Sequence, residues 1–333
     1  MRILILGAAG MLGRKLAERL AQDRQLGGQP VTTLDLVDVI TPTAPAGFTG
    51  EANCRAGDLS EPGTMASLVR SRPDLIFHLA AIVSGEAEAD LEKGYRINLD
   101  GTRLLLDAIR LEGDGRLSGS GGWKPRVVFS SSLAVFGGSF PPVIPEEYVL
   151  TPQTSYGTQK LMGELLLADY ARRGILEGIG IRLPTICVRP GKPNRAASSF
   201  FSGIIREPLA GQEAILPVGE DVRHWMTSPR SAIGFLIHAA SLDLARVGDR
   251  PNLSMPGLSV TVGEQIAALR EVAGDRVANL IREQRDPVIE RIVAGWAQAL
   301  DASRAEALGF VAEKHFTDIV RAHIEDELGG RIG

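Results

Sequence analysis

The chain starts with a short apolar run, Arg2 to Leu6, that stops at a glycine, the pattern of a parallel strand buried on both faces. Leu12, Leu16 and Leu20 then recur every four residues, which predicts a helix with one apolar face. The alternation continues. Strand-like runs occur at Val31 to Val39, Leu75 to Ala80, Arg126 to Ser131 and Gly178 to Cys187, and helical stretches include Gly101 to Leu111 and Tyr156 to Arg172. Alternation of this kind predicts an α/β fold with a doubly wound parallel sheet. Glu112 to Gly122 is rich in glycine and serine and reads as an exposed loop. Its serines lack the strand-to-helix elbow of a hydrolase nucleophile.

Regular alternation ends in the proline-rich stretch Pro190 to Pro193. Residues 1–189 are therefore expected to form the sheet domain and residues 190–333 a smaller mixed cap, with late segments returning to the sheet. Within the cap, Thr261-Val262-Gly263-Glu264 has capping-box spacing and predicts a helix running toward Arg270.

Charge and cysteine usage narrow the class of partner. The 333 residues carry a formal charge of -4 with both signs mixed along the chain, which argues against a nucleic-acid footprint or a polybasic membrane contact. Small-molecule partners fit better. Cys54 and Cys187 are isolated, and His78, His224, His238, His315 and His323 are scattered without ligand spacing, so neither a disulfide framework nor a metal site is expected. The N-terminal apolar run is too short for a signal peptide, and no later stretch reaches membrane-spanning length. The expected compartment is the cytoplasm.

The chemistry begins at Gly7-Ala8-Ala9-Gly10-Met11-Leu12-Gly13, which follows a strand and opens a helix. In that context backbone N–H groups at a helix N-terminus can approach a pyrophosphate, as in a Rossmann dinucleotide site. Its spacing, Gly-x-x-Gly-x-x-Gly, departs from the commoner Gly-x-Gly-x-x-Gly. An acid at the end of the second strand would bind the adenosine ribose hydroxyls. Asp35 and Asp38 are both available, and Asp38 is preferred because it ends the apolar alternation. No arginine follows at once to receive a 2′-phosphate, so the expected cofactor is NAD rather than NADP.

A second group of residues suits proton transfer. Tyr156 and Lys160 are four apart and share one face of a helix, so the ammonium can lie beneath the phenol. A free tyrosine titrates near about 10, but adjacent cations favour its phenolate and make it a usable base. Ser132, closing Phe129-Ser130-Ser131-Ser132, offers a hydroxyl that could polarise the reacting oxygen.

With these residues the chain resembles the extended short-chain dehydrogenase/reductase family, of the NAD-dependent epimerase/dehydratase type. The likeness also includes Gly57-Asp58-Leu59, His78-Leu79-Ala80-Ala81 and Ile97-Asn98-Leu99-Asp100-Gly101-Thr102. It implies that Asp58 and Leu59 flank the adenine, that Leu79, Ala80 and Ala81 line the cofactor cleft, and that Lys160 also holds the nicotinamide ribose. Pro184 and Thr185 would lie near the carboxamide. Asn98 belongs beside the cofactor as a helix-organising residue. A homodimer through the helix bearing Tyr156 is a further implication.

The family contains dehydratases, epimerases and simple dehydrogenases, so the reaction must be read from departures. Dehydratases carry an Asp-Glu pair where this chain has Leu133 and Ala134. Nucleotide-sugar enzymes carry a pattern resembling Arg-Asp-Phe/Tyr-x-His-Val-x-Asp where this chain reads Arg223-His224-Trp225-Met226-Thr227-Ser228-Pro229-Arg230. The segments Phe77 to Asp90 and Leu183 to Asn194 resemble a branch of the family that oxidises a four-carbon sugar acid at C2. That likeness implies a small sugar-acid substrate, with Arg223 as first candidate for its carboxylate and Ser84, Thr185 and Asn194 as further contacts. The alternatives are a nucleotide-sugar epimerase that retains its NAD and a non-enzymatic NAD-binding redox sensor or scaffold. The latter would be expected to lack Tyr156 or Lys160.

Overall fold

The computed structural model describes residues 1–191 and 197–333. They divide into two compact units: Met1–Val135, Thr154–Arg182 and Ile233–Leu253 make the first, and Phe136–Gln153, Leu183–Ala232 and Ser254–Gly333 the second.

The first unit is built on a seven-stranded sheet. Strand β1 (Arg2–Leu6) is fully buried from Ile3 to Leu6 because it lies in the middle of that sheet. It pairs in parallel with β2 (Thr33–Asp38) on one side and with β4 (Leu75–His78) on the other. Beyond β2 lies β3 (Glu51–Ala56), and beyond β4 lie β5 (Arg126–Ser132), β6 (Glu177–Leu183) and a returning strand, Asn252–Ser254. From one edge the order is therefore β3-β2-β1-β4-β5-β6 and the returning strand. The chain switches direction of travel between β1 and β4, and in doubly wound sheets ligands bind outside the carboxyl ends of the strands at that point.

Helices cover the sheet. Helix α1 (Met11–Asp23) buries Leu16 and Leu20, as its four-residue spacing predicts. Helix α2 (Gly101–Gly113) packs Leu105, Leu106 and Ile109 into the core that holds Leu4, Leu6, Ile76, Val127 and Phe129. Helix α3 (Ser155–Arg172) starts at a Thr154 cap, whose hydroxyl accepts from the Gly157 amide at 3.1 Å. Gly163 lets α3 approach the sheet, since a Cβ there would meet the Phe129 ring at 2.7 Å.

In the second unit, β7 (Thr185–Ile186) pairs in parallel with β8 (Arg223–Thr227), which pairs antiparallel with β9 (Leu258–Thr261). Its core includes Phe201, Ile204, Leu216, Met226, Leu269 and Ile319. The capping box at Thr261 is formed, with Thr261 and Glu264 each accepting from the other's backbone N–H, and it starts the helix Val262–Ala273.

Three features differ from the sequence expectations. The division falls after Arg182 rather than at 189, and residues 136–153 join the second unit. They are tied there by a bridge between Ile144 and Leu300, a long-range pairing that no local pattern announces. Strand β3 was not expected, because an edge strand reading Glu-Ala-Asn-Cys-Arg-Ala carries no apolar run. Glu112 is fully buried rather than part of an exposed loop, since Arg72 and the Ser118 hydroxyl both donate to its carboxylate.

Candidate active site

The glycine loop is shaped by close backbone approach. Gly7 has φ +88°, and a Cβ there would lie 2.7 Å from the Ala80 nitrogen. Only glycine satisfies both conditions. A Cβ on Gly13 would collide with the backbone of Gly7 and Ala8, so that glycine sets how closely α1 sits on the loop. Gly10 is the residue before Met11 and supplies no side-chain cap, which leaves the first-turn N–H groups of Met11, Leu12 and Gly13 for another acceptor. The loop is held to β2 by the Gly7 and Ala8 amides, which both donate to the Val37 carbonyl at 2.9 and 3.1 Å.

The two candidate acids at β2 have different surroundings. Asp35 is buried and accepts from the Arg2 guanidinium at 2.7 Å and from Asn53 at 3.0 Å, so it is a structural residue. Asp38 accepts from the Ala9 amide at 2.9 Å, which brings its carboxylate to the glycine loop. Asp58 accepts from the Ser60 amide and hydroxyl at 2.9 and 2.6 Å and from Arg96 at 3.1 Å. Burial opposes its ionisation, but these donors outweigh burial and hold it below the usual carboxylate range. Leu59 is buried, and Leu79, Ala80 and Ala81 are half-buried in the segment after β4.

Asn98 lies in a π-helical turn, Tyr95–Asp100, and organises that segment. Its side chain accepts from the Ile82 amide at 2.9 Å and donates to the Ile82 carbonyl and to Gln159 at 3.2 and 2.8 Å. The loop after β4 is thereby fastened to α3. Ser84 opens a short helix, Ser84–Ala89, on the same segment.

The end of β5 carries Ser132, and the first turns of α3 carry Tyr156 and Lys160. Burial pushes the Tyr156 phenol up to about 12, and a hydrogen bond with Ser132 acts against that shift. The Lys160 Nζ is buried, donates to the Ser130 carbonyl at 2.8 Å and lies 4.9 Å from the Phe129 ring centroid and 5.8 Å from that of Tyr156. Burial pulls Lys160 down to about 8, while the Glu164 carboxylate acts in the opposite sense. His78 is driven down to about 3, first by burial and then by the Lys160 charge, so the imidazole is neutral; its Nε2 meets the Thr102 hydroxyl at 2.8 Å.

The structure brings Ser132, Tyr156 and Lys160 together and reveals neighbours that the sequence reading passed over. One helical turn beyond Lys160, Glu164 is buried, accepts from the Ser131 hydroxyl at 2.5 Å and pairs with Arg182 of β6 at 2.8 Å. The four-residue interval from Lys160 to Glu164 was a usable signal. Glu164 and Arg182 are the charged additions.

Pro184, Thr185 and Arg223 belong to the second unit. Pro184 is buried, and the Thr185 hydroxyl meets the His224 Nε2 at 2.7 Å. His224 is buried, stacked on Phe201 at 5.1 Å between centroids, and held down at about 4 by burial. Arg223, next along β8, is 37% exposed; it donates to the Ser259 carbonyl at 2.8 Å and faces Glu264 at 3.3 Å. Both contacts are made by its Nη1. Asn194 lies outside the described residues. Among the described residues no cluster of His, Cys, Asp and Glu could hold a metal ion, and no helix is long and apolar enough to cross a membrane.

The model of the NAD dependent epimerase/dehydratase family matches residues 3–236. The chain belongs to that family. Its cofactor is NAD, and the glycine loop, the uncapped start of α1 and the placement of Asp38 fit that dinucleotide. Among curated members, the chain is 47% identical over 332 residues to D-erythronate dehydrogenase of Cupriavidus necator, covering 98% of each. It is 40% identical over 328 residues to D-erythronate dehydrogenase of Haemophilus influenzae, covering 98% of this chain and all of that one. Among solved structures it is similar to one described as a nucleoside-diphosphate-sugar epimerase from Agrobacterium tumefaciens, with 62% identity, TM-score 0.97 and coverage of 100% and 96%. An L-threonine dehydrogenase from Cupriavidus necator shares the fold, with 24% identity, TM-score 0.82 and coverage of 98% and 99%.

Proposed function

We propose that this NAD-dependent dehydrogenase oxidises the C2 hydroxyl of D-erythronate, a four-carbon 2-hydroxy sugar acid, to give 2-dehydro-D-erythronate. The likeness to two D-erythronate dehydrogenases over nearly the whole chain supports the substrate. The observation that carries the chemistry is the Tyr156 phenol next to the Ser132 hydroxyl, with the Lys160 ammonium beneath its ring.

NAD supplies the acceptor for the C2 hydride and, while oxidised, a positive charge. The Tyr156 oxygen would take the proton of the C2 hydroxyl as C2 becomes a carbonyl carbon, while bound NAD would take up the hydride. Ser132 holds the reacting oxygen. Lys160 lowers the cost of the Tyr156 phenolate and holds the nicotinamide ribose. A phenol raised to about 12 by burial is no base at neutral pH by itself, so the two neighbouring positive charges are essential to the scheme. Asp38 holds the adenosine ribose, Asp58 and Leu59 flank the adenine, and Pro184 with Thr185 contacts the carboxamide end. Arg223, Ser84, Thr185 and Asn194 are the proposed contacts to the sugar acid. The protein acts in the cytoplasm as a homodimer, for which the exposed Met162 and Leu165 of α3, at 38% and 63%, provide an apolar face.

A panel of sugar acids and nucleotide sugars, assayed for NADH formation, tests this reading. NADH is expected with D-erythronate and not with nucleotide sugars. Conversion of a nucleotide sugar without net NADH, as the description of the Agrobacterium tumefaciens structure would suggest, would replace it with an epimerase.

A further inference from the structure

Lys160 is buried, and burial favours the neutral amine, which could neither favour the Tyr156 phenolate nor donate three hydrogen bonds. Something must oppose that tendency. The charged and titratable groups on every element around α3 identify it. Glu86 pairs with Lys93, and Glu88 accepts from the Ser155 amide. Arg96 pairs with Asp58, Asp100 is exposed, and Asp107 binds the Tyr170 hydroxyl and Arg110. On β4, His78 is neutral and itself responds to the Lys160 charge. On β5, only the Ser130 carbonyl and the Phe129 ring meet Nζ. That leaves Glu164, four residues on along the same face of α3 and bound to Ser131, the residue after the Ser130 whose carbonyl Lys160 holds; its negative charge favours the ammonium form, and the Arg182 guanidinium paired with it opposes part of that effect.

Glu164 is unusually well fixed for this task. Its Oε1 accepts from the Ser131 hydroxyl at 2.5 Å and from the Arg182 Nε at 3.0 Å, and its Oε2 accepts from the Arg182 terminal nitrogen at 2.8 Å. Arg182 lies on β6 and Ser131 on β5, so two strands grip the carboxylate and it cannot swing away from the helix. We propose that Glu164 is a positioning residue for proton transfer: locked by Arg182 and Ser131, its carboxylate keeps the Lys160 ammonium charged beneath Tyr156. The inference rests on Tyr156 and Lys160 being the catalytic pair.

The test is a nitrogen NMR titration of Lys160 Nζ in the full-length protein, assigned by comparison with Lys160→Met, together with the pH profile of kcat. In Glu164→Gln, Lys160 is expected to titrate about one pH unit lower than in wild type, and the alkaline fall in kcat should move down by the same interval. Glu164→Asp, which keeps the charge, should stay closer to wild type than Glu164→Gln. Glu164→Gln leaves a buried guanidinium without its carboxylate, so Glu164→Gln/Arg182→Gln, which removes both charges, is titrated in parallel and should shift in the same direction. An unmoved Lys160 titration in either folded variant, or equal shifts in the Asp and Gln variants, overturns the inference. The titration needs no substrate, so its outcome is separate from whether D-erythronate is oxidised.

Discussion

The Lys160 Nζ donates to the Ser130 carbonyl at 2.8 Å, which ties α3 to the strand whose last residue is Ser132. The three residues proposed for the chemistry, Tyr156, Lys160 and Ser132, thus sit on a helix and a strand that this contact joins, not on a loop. The distance between Ser132 and Tyr156 in sequence is bridged by this packing.

Tyr156→Phe removes the proton acceptor and keeps the ring. Turnover should fall by about 10² to 10⁴-fold, while NAD affinity, measured by calorimetry, changes little. Turnover near that of wild type would end the assignment of Tyr156 as base.

Lys160→Met should damage two properties together. The ammonium is assigned both to the phenolate and to the nicotinamide ribose, so kcat falls and NAD binding weakens by about 10- to 100-fold, the loss of a hydrogen bond to a charged donor. Fluorescence titration with NAD reads the second effect. Unchanged NAD affinity would leave Lys160 with the phenol alone.

Asp38→Ser should narrow the preference for NAD over NADP. A carboxylate accepts from a ribose diol and repels a 2′-phosphate, and in this fold Asp38 also holds the Ala9 amide of the glycine loop at 2.9 Å. The ratio of kcat/KM with the two cofactors checks it. A wild-type protein that used both equally would exclude Asp38 as the discriminating group.

Acid should destabilise the fold through His78. Its folded value is about 3 against about 6.5 unfolded, so the unfolded chain gains a proton first as pH falls. The stability present above pH 6.5 is therefore lost progressively between about 6.5 and 3, with a slope of up to about 1.4 kcal/mol per pH unit from this group. Urea melts across that range should show a shallower slope for His78→Asn. Identical slopes would mean that His78 is not held neutral.

Legibility in the sequence followed locality. β1, the glycine loop and α1 were readable because a buried strand, a tight turn and a four-residue apolar stripe each leave a contiguous pattern. Tyr156 and Lys160 were readable for the same reason. Features set by distant partners were not. Glu164 reads as an ordinary polar helix residue until Arg182 and Ser131 are seen around it, and Glu112 reads as loop until Arg72 is seen to bind it. Arg223, which the cap motif put forward for the substrate carboxylate, has Glu264 beside it in the structure, a neighbour that the motif does not announce.

The transfer of hydrogen from C2 is the most direct test of the account. Wild-type protein is incubated with NAD and D-erythronate deuterated at C2, and the cofactor is examined by mass spectrometry. The account predicts free NADH carrying one deuterium for each 2-dehydro-D-erythronate formed. Reduced cofactor without deuterium, or no reduced cofactor while a nucleotide sugar is converted, would contradict it.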